Sequence, residues 1–214
     1  MPASHRQLVE VLRAMHGRPG GTGAVLNLLR AAEVRGTADA AVLSDLVADP
    51  ARKLELARHA CDEGRHAYVL LQRITDLGFR PFRLSPELDC AEGLLDRSRA
   101  RDVKQIYAER GVVGEAELME LTMATLIPER DTFAKLRANY EVLGDDPRTQ
   151  AIVGSILSDE ERHVAYLENW LTAFERRFSR RAVLAARERL EETFAQLGAR
   201  YYAALRGYFE RAAA

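Results

Sequence analysis

Asp62-Glu63-Gly64-Arg65-His66 and, 97 residues later, Asp159-Glu160-Glu161-Arg162-His163 are the stretches on which the fold turns. Each places a Glu and a His three positions apart. On an α-helix that spacing stacks the two side chains on one face, so a carboxylate and an imidazole can grip one metal ion. Two such grips on two helices predict two ions. The Asp one turn before each His, Asp62 and Asp159, is expected to accept the proton of the ring nitrogen that is not on the metal and so to hold the tautomer. A single Glu-x-x-His is commonly a solvated helix face. Here two of the five histidines of the chain carry the same Asp, Glu and Arg at the same offsets, which favours the metal reading over coincidence.

Working outward, Asp49-Pro50 and Asp146-Pro147 stand at the same 97-residue offset. An Asp N-cap followed by proline at the first helical position opens a helix. The spacing predicts one helix from about residue 23 to 45, and a second from Pro50 to Leu77 that closes at Gly78. A third is predicted from Glu115 to Leu143, and a fourth from Pro147 to about Phe178. The repeat is therefore a whole helical hairpin. Phe79 to Gly114 reads as one long crossover with a short helix at Ser85-Pro86-Glu87 and another over Arg101 to Arg110. The stretch from Arg180 to Ala213 is a further amphipathic helix, which either packs along the bundle or supports a partner subunit. Helix formers dominate and no alternating β-branched run occurs, so the chain is expected to be all-α.

The 214 residues include no Gly/Ser/Pro-rich linker, which suggests a single domain over residues 1–214, with the metal-binding bundle at about 23–178 and the C-terminal helix at about 180–213. With 47% hydrophobic and 29% charged residues and a formal net charge of -1, no strong field attracts polyanions. Cys61 and Cys90 fit no zinc spacing and are expected to be free thiols. The first 23 residues offer neither a secretion signal nor a membrane span, so a cytoplasmic protein with no membrane partner is expected.

A two-metal site between four helices needs a carboxylate from each of the other two. In an antiparallel hairpin, a ligand before the turn lies about as far from it as its partner lies after it. Glu33 satisfies this for Glu63, and Glu129 for Glu160 with one extra turn residue. Glu120 points to the opposite face at about 100° per residue, Glu117 is well off the face, and Glu115 lies about 21 Å away along the axis. The predicted ligands are Glu33, Glu63, His66, Glu129, Glu160 and His163. Four carboxylates neutralise two divalent ions, and oxygen-rich ligation with one nitrogen per metal suits iron or manganese better than a closed zinc site. Two iron ions are expected, with manganese or a mixed manganese and iron pair as alternatives.

The two blocks resemble those of the ferritin-like di-iron carboxylate superfamily over residues 23–178, in their oxygen-activating Asp-Glu-x-Arg-His form. The resemblance implies a four-helix bundle with one long crossover and a non-haem di-iron oxygenase. Such an enzyme uses dioxygen to hydroxylate or desaturate a small organic substrate, as a monomer or homodimer. It also implies that Asp62 and Asp159 support the ligand histidines and that Arg65 and Arg162 pair with supporting carboxylates. No flavin or iron-sulfur motif is present, so a separate electron donor is expected. Leu126-Ile127-Pro128-Glu129-Arg130 and Leu77-Gly78-Phe79-Arg80-Pro81-Phe82-Arg83 are similar to segments of tRNA hydroxylases that act on an isoprenylated adenosine, which makes tRNA an alternative substrate. Iron oxidation for storage, or peroxide scavenging, is the alternative from another class.

Four local readings complete the set. Thr37, one turn after Glu33, is expected to face the site and relay protons as a catalytic group. Pro128 either kinks the third helix or restarts it. His59 reads as a surface histidine near a helix start, with a substrate contact or a donor supporting a ligand as the alternative, and Tyr68 and Tyr166 as packing residues. The basic run Arg176-Arg177-Phe178-Ser179-Arg180-Arg181 reads as a solvated helix junction that would serve a nucleic-acid substrate.

Overall fold

A computed structural model describes residues 5–89, 94, 109 and 111–212. Every described regular element is helical: α1 (His5–His16), α2 (Gly21–Leu46), α3 (Pro50–Asp76), a 3-10 turn at Pro86–Leu88, α4 (Glu115–Val142), a 3-10 turn at Leu143–Asp145, α5 (Pro147–Phe178) and α6 (Arg180–Ala212). None of these helices is long and apolar enough to cross a membrane. The predicted helix at residues 101–110 lies outside the described residues except for Glu109, and so does Cys90. Cys61 is a free thiol at the surface.

The capping signals act as read. Asp49 accepts the backbone N–H of Arg52 at 2.9 Å, and Asp146 accepts that of Thr149 at 3.1 Å. At the far end of α3, Gly78 adopts φ +69°. That left-handed residue lets the Phe79 N–H reach the Ile74 carbonyl at 3.1 Å and the Gly78 N–H reach the Thr75 carbonyl at 2.9 Å, closing the helix. The short turns then force α2 to return as α3, and α4 as α5.

The two hairpins meet along α3 and α5, which run antiparallel. A ladder of side-chain contacts sets their register. Arg73 near the end of α3 donates to Asp146 at 2.8 Å and to Thr149 at 2.6 Å at the start of α5. Further along, His66 meets Asp159 at 3.2 Å, His59 meets Tyr166 at 2.6 Å, and Trp170 donates to Glu55 at 2.7 Å. Glu63 and Glu160 therefore fall at the same level midway along the ladder.

One feature departs from the sequence expectations, and two decide between alternatives that the sequence left open. α1 was not anticipated, and it packs Val9 and Leu12 into a cluster with Ala24, Val25, Ala138 and Phe209. Gly21 permits the tight α1–α2 turn, because a Cβ there would collide with the Met15 carbonyl oxygen. α4 runs unbroken through Pro128, so the helix does not restart there. α6 packs on the other helices of its own chain: Val183 and Leu190 are buried, Arg189 pairs with Glu120 at 2.9 Å, and the Tyr208 hydroxyl donates to the Ala24 carbonyl at 2.8 Å. At the α5–α6 break, Ser179 holds φ 123°, a backbone region that L-residues rarely occupy.

Candidate metal centre

The six predicted ligands converge. α2 supplies Glu33, α3 supplies Glu63 and His66, α4 supplies Glu129, and α5 supplies Glu160 and His163. Donor atoms of Glu33, Glu63, His66 and Glu160 lie within 4.8 Å of one another, and so do those of Glu129, Glu160 and His163. His66 Nδ1 is 3.0 Å from Glu33 Oε2 and 3.3 Å from Glu160 Oε1. His163 Nδ1 is 3.4 Å from Glu63 Oε1 and 3.6 Å from Glu160 Oε1. Glu33, Glu160 and His163 are each only 1% exposed, and His66 is fully buried.

A buried polar atom without a partner is costly. Here Glu33 Oε1, Glu63 Oε1, both carboxylate oxygens of Glu160 and both ring nitrogens of His163 have no hydrogen-bond partner. All belong to one cluster. These oxygens and nitrogens are hard or borderline donors that a pair of divalent cations would satisfy. Burial, together with the nearby Glu63, pushes the Glu33 carboxyl well above the usual range. Burial and the Glu160 charge raise Glu129 as well. Burial opposes a charge on His66, but the surrounding Glu160, Glu33 and Glu63 carboxylates hold its pKa up to about 12. Protons are thus held on Glu33, Glu129 and His66, at the positions that a cation could occupy.

The supporting acids are crossed rather than local. The sequence reading paired each Asp with the His four residues on in its own helix. Instead, Asp159 of α5 meets Nε2 of His66 on α3 at 3.2 Å, and Asp62 of α3 lies 3.5 Å from Nε2 of His163 on α5. The reason is geometric: each ring turns Nδ1 to the interior carboxylates, so Nε2 points across the helix contact, where the acid in reach belongs to the facing helix. The arginines close this lattice. Arg65 pairs with Asp159, while Arg162 donates to Asp62 at 2.6 Å and to Asp159 at 2.7 Å. Burial acts to raise the Asp159 carboxyl, but its contacts with His66, Arg162 and Arg65 together draw it below its ordinary range.

His59 is the residue that sequence reasoning misplaced. It is 1% exposed, and its Nε2 lies 3.5 Å from Glu63 Oε1 and 3.5 Å from Glu129 Oε1. Its ring stacks on His163 with centroids 3.8 Å apart. Burial works against its charge, but the facing Glu129 and Glu63 carboxylates raise its pKa well above the usual imidazole value. A signal for this was present in the repeat. The 97-residue offset maps His59 onto Ile156, an apolar residue, and so marks position 59 as inward-facing. Tyr166 is tied to His59 rather than merely packed, whereas Tyr68 is exposed and bonds Gln72 at 2.8 Å.

Thr37 sits at the α2–α3 contact beside Gly64, and its hydroxyl donates to the Glu33 carbonyl at 2.8 Å within its own helix. It does not line the cavity next to the cluster, which Gly36 does. The expected proton relay at Thr37 therefore has no geometric support. The α4 acids set aside from the cluster are engaged elsewhere: Glu117 accepts the Gly114 N–H at 2.8 Å, and Glu115 pairs with Arg52 at 3.4 Å.

A cavity of about 510 Å³ opens onto this cluster. Glu33, His59, Glu63, Glu129 and Glu160 form its floor. Its walls come from α2 and α4, with Leu28, Leu43, Leu121 and Ala124 among them, and residues 83–86, Leu88 and Asp89 together with Phe194 and Tyr201 of α6 complete it. Pro128 lies on the same wall. No family model, curated protein or solved structure matches the chain.

Proposed function

We propose that this chain is a ferritin-like four-helix bundle that holds two iron ions and oxidises an organic substrate with dioxygen. The observation that carries the reading is the set of unpartnered, buried carboxylate and imidazole atoms at the floor of a largely apolar cavity. Glu33, Glu63, His66 and Glu160 would hold one ion, and Glu129, Glu160 and His163 the other, with Glu63 and Glu160 placed between the two groups. When bound, ferrous iron supplies reducing electrons and open coordination positions for dioxygen.

The chain's own residues do the remaining work. Asp62 and Asp159 face the outer nitrogens of the ligand imidazoles, and Arg65 and Arg162 hold both acids in place. Leu28, Leu43 and Leu121 exclude water beside the reacting centre and fit the apolar part of a small substrate. The electrons for each turnover come from a separate donor. An iron-storage role needs passage for hydrated ions, and apolar walls disfavour it.

Metal analysis of the purified protein, followed by oxygen-electrode measurement on mixing the ferrous protein with dioxygen, tests this reading. Two irons per chain and rapid oxygen uptake are expected. Failure to bind iron, or binding without oxygen uptake, refutes it. A tRNA-modifying form of the same chemistry is favoured by Arg83 of the 77–83 segment, which lines the cavity. It predicts tRNA binding that weakens steeply with salt and is lost on charge reversal at Arg177, Arg180 and Arg181.

A further inference from the structure

We infer that His59 is a seventh metal-binding residue, which coordinates through Nε2 the ion held by Glu129, Glu160 and His163. The inference rests on the two-metal reading and adds a third imidazole to it. Three observations carry it. First, donor atoms of His59, Glu63 and His163 lie within 4.8 Å of one another, and His59 Nε2 is 3.5 Å from Glu129 Oε1. Second, Nε2 is buried and has no hydrogen-bond partner, although carboxylates surround it. Third, the far nitrogen is engaged: Nδ1 lies 2.6 Å from the Tyr166 hydroxyl.

The Tyr166 contact fixes what Nε2 can do. A neutral imidazole carries one N–H and one lone pair. When Nδ1–H donates to the Tyr166 oxygen, the lone pair sits on Nε2 and points at the cluster. Metal-bound histidines characteristically anchor their other nitrogen in this way. Tyr166 thus does for His59 what the crossed aspartates do for His66 and His163. Its ring is in turn held edge-on against Trp170, with centroids 5.2 Å apart.

The consequence is an asymmetric centre. In the second hairpin the position equivalent to His59 is Ile156, which is buried in an apolar cluster with Leu70, Ile74 and Val153. One ion therefore faces a single imidazole, His66, and the other faces two, His59 and His163. Nitrogen-richer ligation distinguishes the two sites in affinity and in the order of filling.

Cobalt(II) titration of the metal-stripped full-length chain tests this, with X-ray absorption used to count imidazoles. The wild type is expected to bind two ions that share three imidazoles. In His59→Ile one ion stays tight, the second weakens by at least about 100-fold, beyond the range of a lost supporting contact, and two imidazoles are counted. Adding free imidazole to His59→Gly restores the second ion. Tyr166→Phe, which keeps the ring and so the packing, weakens the second ion by about tenfold and serves if the His59 variants do not fold. Two tightly bound ions with unchanged spectra in the folded His59 variants would overturn the inference while leaving the two-metal reading intact. If those variants do not fold, unchanged affinity in Tyr166→Phe overturns it. A wild type that binds fewer than two ions overturns both.

Discussion

The two hairpins carry the same five-residue block at the same depth, yet they are built differently around it. In the first, α2 and α3 close tightly: Gly36 faces Glu63 so closely that a Cβ would sit on the carboxylate, and Gly64 faces Thr37. In the second, Thr132 and Glu161 occupy the corresponding positions, and α4 carries Pro128 in its interior. The cavity is walled by α2 and α4 together, and it leaves the Glu129 side chain 12% exposed, against 1% for Glu33. The matching blocks supply two grips, and the residues around them pack α3 more closely on α2 than α5 packs on α4, although α2 and α4 both wall the cavity. The difference teaches that a repeated ligand motif specifies where ions can sit, whereas the residues between the ligands specify what else can approach them.

Six substitutions test this comparison, beginning with the largest effect. Glu160→Ala removes a carboxylate that belongs to both donor groups, so both ions should be lost in metal analysis of the purified variant. Glu129→Ala touches the second group alone. One ion should be retained and one lost, and retention of both would show that the α4 carboxylate is not a ligand. The crossed acids come next. Asp159→Asn on α5 should weaken the ion bound by His66 on α3 by about 10–100-fold in a metal titration, with Asp62→Asn acting on the His163 ion instead. An effect of each Asp on its own helix's histidine would restore the local pairing.

The smallest effects are expected at Gly36 and its counterpart Thr132. Gly36→Ala should cost about 1–3 kcal/mol by overpacking the first hairpin, read as a lower midpoint in thermal denaturation followed by circular dichroism. Thr132→Ala at the equivalent place in the second hairpin borders the cavity and should cost about 0.5 kcal/mol or less. Equal costs would remove the distinction between the closely packed first hairpin and the more open second one.

Much of the architecture was legible in the chain because it rests on local chemistry. Asp49-Pro50, Asp146-Pro147 and Gly78 act within one turn of backbone, so the bounds of α3 and α5 follow from a few neighbouring residues. The six clustered side chains were also legible, since i, i+3 spacing and distance from a turn translate directly into helix geometry. α1 was missed because its short apolar stripe becomes helical in partnership with residues as distant as Phe209. Thr37 was misread for a related reason: a helical wheel gives a direction, not what stands in the way, and α3 stands there.

The amino-acid sequence by itself determined an all-helical chain, a duplicated hairpin and a set of carboxylates and imidazoles sharing one level, because caps and periodicity act over a few residues. Tertiary structure alone decided that the aspartates support the opposite helix's histidines, that His59 lies inside with Tyr166 behind it, and that a chamber opens beside Glu129. Those outcomes depend on the rotation and register of α3 against α5 and on the spacing of α2 from α4. These are set by the summed packing of side chains far apart in sequence, which no local spacing encodes.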